Sequence, residues 1–79
     1  MTTSKPLEIP DFFKEQVEAL PTGRIKTELV LLMEGLGDST FEFGWLDFDC
    51  DKYVNSLEDL DRLSLVKFML DQFIKNWEN

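Results

Sequence analysis

Apolar residues recur at intervals of three or four in the first half of the chain, which is the spacing of one helical face. One series begins after Pro10, a residue that suits the first turn of a helix because it lacks an N–H, and stops at Pro21. A second series follows the Pro-Thr-Gly turn and continues to Leu36. We therefore predict two helices, of which the second ends near Glu34, beside Gly35 and Gly37.

A third periodic stretch occupies the end of the chain. Its apolar residues alternate in steps of three and four, at Leu63, Val66, Leu70, Phe73 and Trp77. Ser56 and Asp59 have the spacing of a capping box, and Ser64 offers a second start that would divide the helix in two. The pattern predicts an all-α fold: a single domain over residues 1–79 that forms a small three- to four-helix bundle, preceded by a loose arm at residues 1–8.

Residues 38–55 have a different pattern. Phe41, Phe43 and Trp45 alternate with polar residues or glycine, which favours an extended strand, and the alternation changes parity beside Gly44. A helical interpretation competes, because Ser39 and Glu42 also have capping-box spacing. We predict that this segment is an irregular, or short β-like, aromatic and acidic connector.

The charge of the chain is concentrated in its middle. Residues 28–61 contain ten acidic residues and one basic residue, Lys52, a net charge of −9 in a chain whose total is −8. Such a segment repels phosphate and anionic lipid and attracts basic surfaces. We therefore expect neither direct nucleic-acid binding nor membrane binding, but a partner protein with a basic surface.

Other features limit the chemistry and the compartment. The chain has no histidine, which removes the most frequent general base, and no phosphate-binding glycine motif, so we do not expect an enzyme. Cys50 is the single cysteine, and no signal-peptide-like stretch opens the chain, which predicts a cytoplasmic protein.

These observations predict a small acidic, non-catalytic interaction module, a regulator or inhibitor that binds its partner through residues 38–61. If the partner is a nucleic-acid-binding protein, the carboxylates would occupy its basic groove in place of phosphates. Carboxylates together with one aromatic anchor form the predicted partner-binding set: Glu42, Trp45, Asp47, Asp49, Asp51, Glu58, Asp59 and Asp61.

Residues 47–58 also resemble the twelve-residue calcium loop of EF-hand proteins. The resemblance implies an alternative function as a calcium-binding module, with calcium as the cofactor, and departs from the family at Lys52, where the loop has glycine. It assigns the ligands to alternate positions of the loop and to its final glutamate: Asp47, Asp49, Asp51, Tyr53, Asn55 and Glu58.

The breadth of the apolar stripes has a further consequence. The second helix and the last helix both carry more apolar surface than a three-helix core needs. A homodimer, in which a second copy covers the excess, is therefore a further expectation.

Overall fold

The computed structural model describes residues 7–78, and these residues form four helices joined by short links. Helix α1 spans Asp11–Glu18, α2 spans Thr22–Glu34, α3 spans Phe48–Asn55 and α4 spans Asp59–Glu78. Helix α2 packs along α4, and α1 contacts α4 as well. The predicted all-α bundle is confirmed, as are the first helix and the end of the second.

The last helix differs from its prediction at its start. Helix α4 begins at Asp59 and continues without a break, so Ser64 does not start a second helix. Ser56 does not cap α4 but ends α3, where its hydroxyl donates to the carbonyl oxygen of Tyr53 over 2.6 Å. The predicted capping box is therefore wrong, because α4 begins at Asp59 and its first backbone hydrogen bond runs from the N–H of Arg62 to the carbonyl oxygen of Glu58, so Ser56 lies too far before the helix to cap it.

The connector is shorter than predicted. Residues 38–47 have no regular secondary structure, but residues 48–55, which we assigned to the connector, form α3. Asp47 starts this helix by accepting a hydrogen bond from the backbone N–H of Cys50 over 3.2 Å. The alternative of a helix starting at Ser39 is also wrong, because residues 39–46 are not helical.

The core lies where α1, α2, α3 and α4 meet the connector. Phe41 and Phe43 are buried there in an edge-to-face pair with ring centroids 4.8 Å apart. Gly35 leaves room for this pair, since a Cβ at that position would collide with the Phe41 ring. Gly37 has a φ of 90°, a left-handed conformation that favours glycine and turns the chain out of α2.

The predicted N-terminal arm is described only in part. Residues 1–6 lie outside the described residues, whereas Leu7 and the following Ile9 pack against the core. Within residues 7–78, no helix combines the length and the apolar character needed to cross a membrane.

Two charged residues on the helix faces are buried. Arg62 of α4 donates from Nε to the carbonyl oxygen of Val54 over 3.2 Å and from a terminal nitrogen to that of Gly35 over 3.0 Å. It thereby joins the ends of α2 and α3 to α4, and it satisfies carbonyl groups that helix ends leave without partners.

Glu28 of α2 is the second buried charge. One carboxylate oxygen accepts the backbone N–H of Gly44 over 2.9 Å, and the other accepts that of Trp45 over 3.0 Å. Glu28 has no solvent exposure, and it fixes the turn at the end of the connector to the middle of α2.

We expect Glu28→Gln to destabilise the protein by about 1–3 kcal/mol, because the amide keeps one acceptor oxygen and leaves one backbone N–H without a partner. Glu34→Gln on the exposed end of the same helix is the matched control, with an expected change within about 0.5 kcal/mol. Urea unfolding of the two variants measures the difference. Equal stabilities would contradict the role given to Glu28.

Candidate functional site

Side chains of α3 take the place of a neighbouring strand beside the connector. The Asn55 side-chain oxygen accepts the N–H of Phe41 over 2.7 Å, and its amide nitrogen donates to the carbonyl oxygen of Phe41 over 2.9 Å. Asp51 accepts the N–H of Phe43 over 2.8 Å. The alternation that the sequence shows at Phe41, Glu42 and Phe43 is therefore also present in the structure: both rings are buried and Glu42 is exposed. This extended segment, however, is hydrogen-bonded to side chains of a helix and not to another strand.

Asp47 joins the end of the connector to α1 as well as starting α3. Its Oδ2 accepts from the Gln16 side-chain amide over 2.8 Å, and its backbone N–H donates to the Gln16 side-chain oxygen over 3.1 Å. Desolvation acts to raise the pKa of the Asp47 carboxyl, but the hydrogen bonds from Gln16, Cys50 and Asp49 outweigh it. The pKa therefore lies below its ordinary value of 3.8.

The predicted partner-binding carboxylates divide into two groups. Asp47, Asp51 and Asp59 accept hydrogen bonds from the chain itself, Asp59 from the N–H of Gly37 over 2.9 Å. Of these three, Asp47 and Asp59 are nevertheless exposed, as are Glu42, Asp49 and Glu58, which are not among the acceptors of the hydrogen bonds described above. Part of the acidic segment therefore holds the fold, and part remains open to a partner.

Asp61, the remaining carboxylate of the predicted set, lies in the first turn of α4 and is half-buried. Burial of the Tyr53 hydroxyl, followed by the negative charge of Asp61, raises the pKa of Tyr53. The Tyr53 ring packs on Phe13 of α1, with ring centroids 5.6 Å apart.

A groove of about 670 Å³ runs between the connector and α3. Glu42, Asp51 and Lys52 contribute its charged groups, and Phe48 contributes an aromatic ring that is 71% exposed. Lys52 Nζ lies 5.8 Å from the centroid of that ring. Phe48 was absent from the predicted set. Its exposure follows from the helical conformation of residues 48–55, which the strand-like alternation of the sequence did not predict.

Trp45 is the other exposed ring of this region, and 53% of its surface is open to solvent. The guanidinium carbon of Arg24 lies 3.8 Å from the ring centroid, a cation–π contact that joins the start of α2 to the connector. The ring thus already packs against a basic side chain of its own chain. The role of Trp45 as an anchor for a partner stays a prediction.

Residues 47–58 do not form the loop that the calcium-binding alternative requires. Residues 48–55 are helical, and Asp47, Asp51 and Asn55 already accept protein hydrogen bonds. Among residues 7–78, no three carboxylates or thiols lie close enough together to hold a metal ion. Tyr53 and Glu58, the other predicted ligands, lie in α3 and in the link to α4.

Cys50 is buried in the first turn of α3 and is not part of the surface. Burial, followed by the negative charge of Asp47, raises the pKa of the thiol to about 12. Because the thiolate is the reactive form, Cys50 acts as a small core residue at neutral pH.

Comparison with protein-family models, with curated protein sequences and with solved structures gives no significant match.

We expect Asp47→Asn to remove one pH-dependent part of the stability. Asparagine also caps helices, but it does not titrate. In the wild type, the folded-state pKa is depressed, so the stability from this carboxylate is present above its ordinary pKa of 3.8 and is lost as the pH falls through the folded-state pKa. The stability difference between wild type and variant, measured by urea unfolding, should shrink between about pH 7 and pH 2. A difference that stays constant would contradict this assignment.

We expect millimolar calcium to leave the backbone amide resonances of Asp49, Asp51 and Asn55 unchanged, because binding would require α3 to unfold and three hydrogen bonds to break. NMR titration measures the shifts, with magnesium as the control for ionic strength. Saturable shifts of these amides with calcium alone would restore the EF-hand-like alternative.

Proposed function

We propose that this chain is a non-catalytic interaction module that binds a basic surface of a partner protein through Glu42, Trp45, Phe48 and Asp49, which we call the acidic-aromatic surface. One observation carries the proposal: two largely exposed rings, Trp45 and Phe48, lie within four residues of each other beside exposed carboxylates. Exposed aromatic rings are the side chains that contribute most to protein interfaces.

Rigid support for these residues favours binding. Glu28 holds the backbone of Gly44 and Trp45, and Asp51 and Asn55 hold the connector on either side of Glu42. A surface that is already ordered loses less conformational entropy when a partner binds.

The electrostatics favour a basic partner. The segment of residues 28–61 carries a net charge of −9, and Glu42 and Asp49 expose their carboxylates beside the two rings. Two basic side chains of the chain itself lie at this surface: Arg24 packs on the Trp45 ring, and Lys52 lies beside Phe48 at the groove. The exposed carboxylates, not the rings alone, must therefore attract the basic partner. Binding should therefore weaken with salt. A nucleic-acid-binding protein fits this chemistry, and the chain would then act as its inhibitor or regulator.

We expect Asp49→Lys to remove the partner from material purified from the native host, because it places a cation beside Phe48 at the contact. Phe48→Ala should have the same effect by removing the anchor, with little cost to folding since the ring is exposed. Glu15→Lys, at an exposed position of α1, is the matched charge-reversal control. Quantitative mass spectrometry compares the proteins retained by the tagged wild type and by each variant.

The proposal predicts at least one protein that is retained by the wild type and by Glu15→Lys, lost with Asp49→Lys and Phe48→Ala, and eluted by raised salt. If every retained protein is kept equally by all four chains, or is insensitive to salt, the proposal is wrong.

A further inference from the structure

Helix α4 is apolar on two faces. With 20 residues it is about 30 Å long, whereas α1 and α3 have eight residues each. One face buries Leu65 and Met69 in the core. On another face, successive steps of three and four residues define a second series, which we call the α4 stripe: Leu60, Leu63, Lys67, Leu70, Ile74 and Trp77.

The apolar members of the α4 stripe are open to solvent. Their exposed fractions run from 42% at Leu70 to 74% at Trp77. These five side chains present on the order of 500 Å² on one copy, so two copies would cover about 1,000 Å², the lower bound for a specific interface. The repeat of 3.5 residues keeps the stripe in line over about 26 Å, as two helices packed side by side require.

We propose that a second copy of this chain covers the α4 stripe, with the two α4 helices antiparallel. Lys67 is the one charged residue of the stripe and sets the orientation. In a parallel pair, Lys67 would face Lys67 of the partner, and the two like charges would repel at the centre of an apolar seam. In an antiparallel pair, the spacing of the stripe is the same read in either direction, so Leu60 lies level with Trp77 of the second copy and Lys67 lies level with Leu70.

The antiparallel register also supplies a countercharge. Asp71 follows Leu70 and is exposed at the border of the stripe. It stands four residues after Lys67 on its own helix, and in this register it also lies within one turn of Lys67 on the facing helix. The two-fold symmetry of a homodimer forms this Lys67–Asp71 contact twice. The choice of a second copy as the occupant therefore rests on the apolar area of the stripe, which in two copies reaches the lower bound for a specific interface, and the Lys67–Asp71 contact is compatible with it.

The dimer does not rest on the proposed function. The α4 stripe shares no residue with the acidic-aromatic surface, which lies on the connector and α3. A dimer would present two acidic-aromatic surfaces, and a monomer would present one. Partner binding and dimerisation can therefore be tested separately, and either proposal can fail without the other.

Sedimentation equilibrium over a range of concentrations tests the dimer on the full chain. We expect a reversible monomer–dimer equilibrium for the wild type and a dissociation constant at least about tenfold larger for Leu70→Lys, because the new cation faces Lys67 of the second copy. Trp77→Lys should weaken the dimer as well. Because Trp77 is 74% exposed in one copy, this substitution should change the stability of the monomer little. Phe12→Lys on α1 is the control, since Phe12 is 41% exposed and Leu70 is 42% exposed.

Unchanged self-association of Phe12→Lys together with weakened association of both α4 variants supports the proposal. A wild type that sediments as a monomer at every concentration overturns it, as does a dimer that neither α4 variant weakens. In that case the stripe is not the contact between copies.

Cysteine cross-linking tests the orientation. In the antiparallel register, residue 63 of one copy lies level with residue 74 of the other. A chain carrying both Leu63→Cys and Ile74→Cys should therefore form a covalent dimer on oxidation, and Leu63→Cys alone should not. The native Cys50 is fully buried and can remain. Efficient cross-linking of Leu63→Cys alone would indicate parallel helices and overturn the proposed pairing.

Discussion

The structure depends on helix side chains that accept the backbone N–H groups of the connector. Asn55 and Asp51 bind one edge of the extended segment at Phe41 and Phe43, and Glu28 binds the turn that follows. Each polar group left without a partner in this partly buried setting would cost about 1–3 kcal/mol. These acceptors allow Phe41 and Phe43 to enter the core of a helical bundle that has no strand among its described residues.

The same arrangement gives the acidic residues two roles. A carboxylate that accepts an N–H is held at a fixed place, and the backbone that it holds carries exposed residues outward. Asp51 and Glu28 thereby support Glu42 and Trp45, and Asp47 starts the helix that presents Phe48. The negative charge of the segment attracts a basic partner in our proposal, but part of it is needed first to shape the surface.

The sequence predicted the elements whose pattern is local. The periodicity bounded by Pro10 and Pro21 located α1, and the apolar series ending near Glu34 located α2. It did not predict α3, because the cap at Asp47 competed with a strand pattern that continued through Phe48. Nor did it predict the roles of Glu28 and Arg62, since those depend on backbone groups distant in sequence. A signal existed: both charged residues lie on the apolar face of their helix, where only a paired charge is stable.

The central claim is that side chains hold the connector as a strand would. Amide hydrogen exchange of the native protein, measured by NMR, tests it residue by residue. We expect slow exchange at Phe41, Phe43, Gly44 and Trp45, whose N–H groups have side-chain acceptors, and fast exchange at Glu42, whose N–H has no acceptor among the described residues. Uniformly fast exchange across the connector would contradict the account.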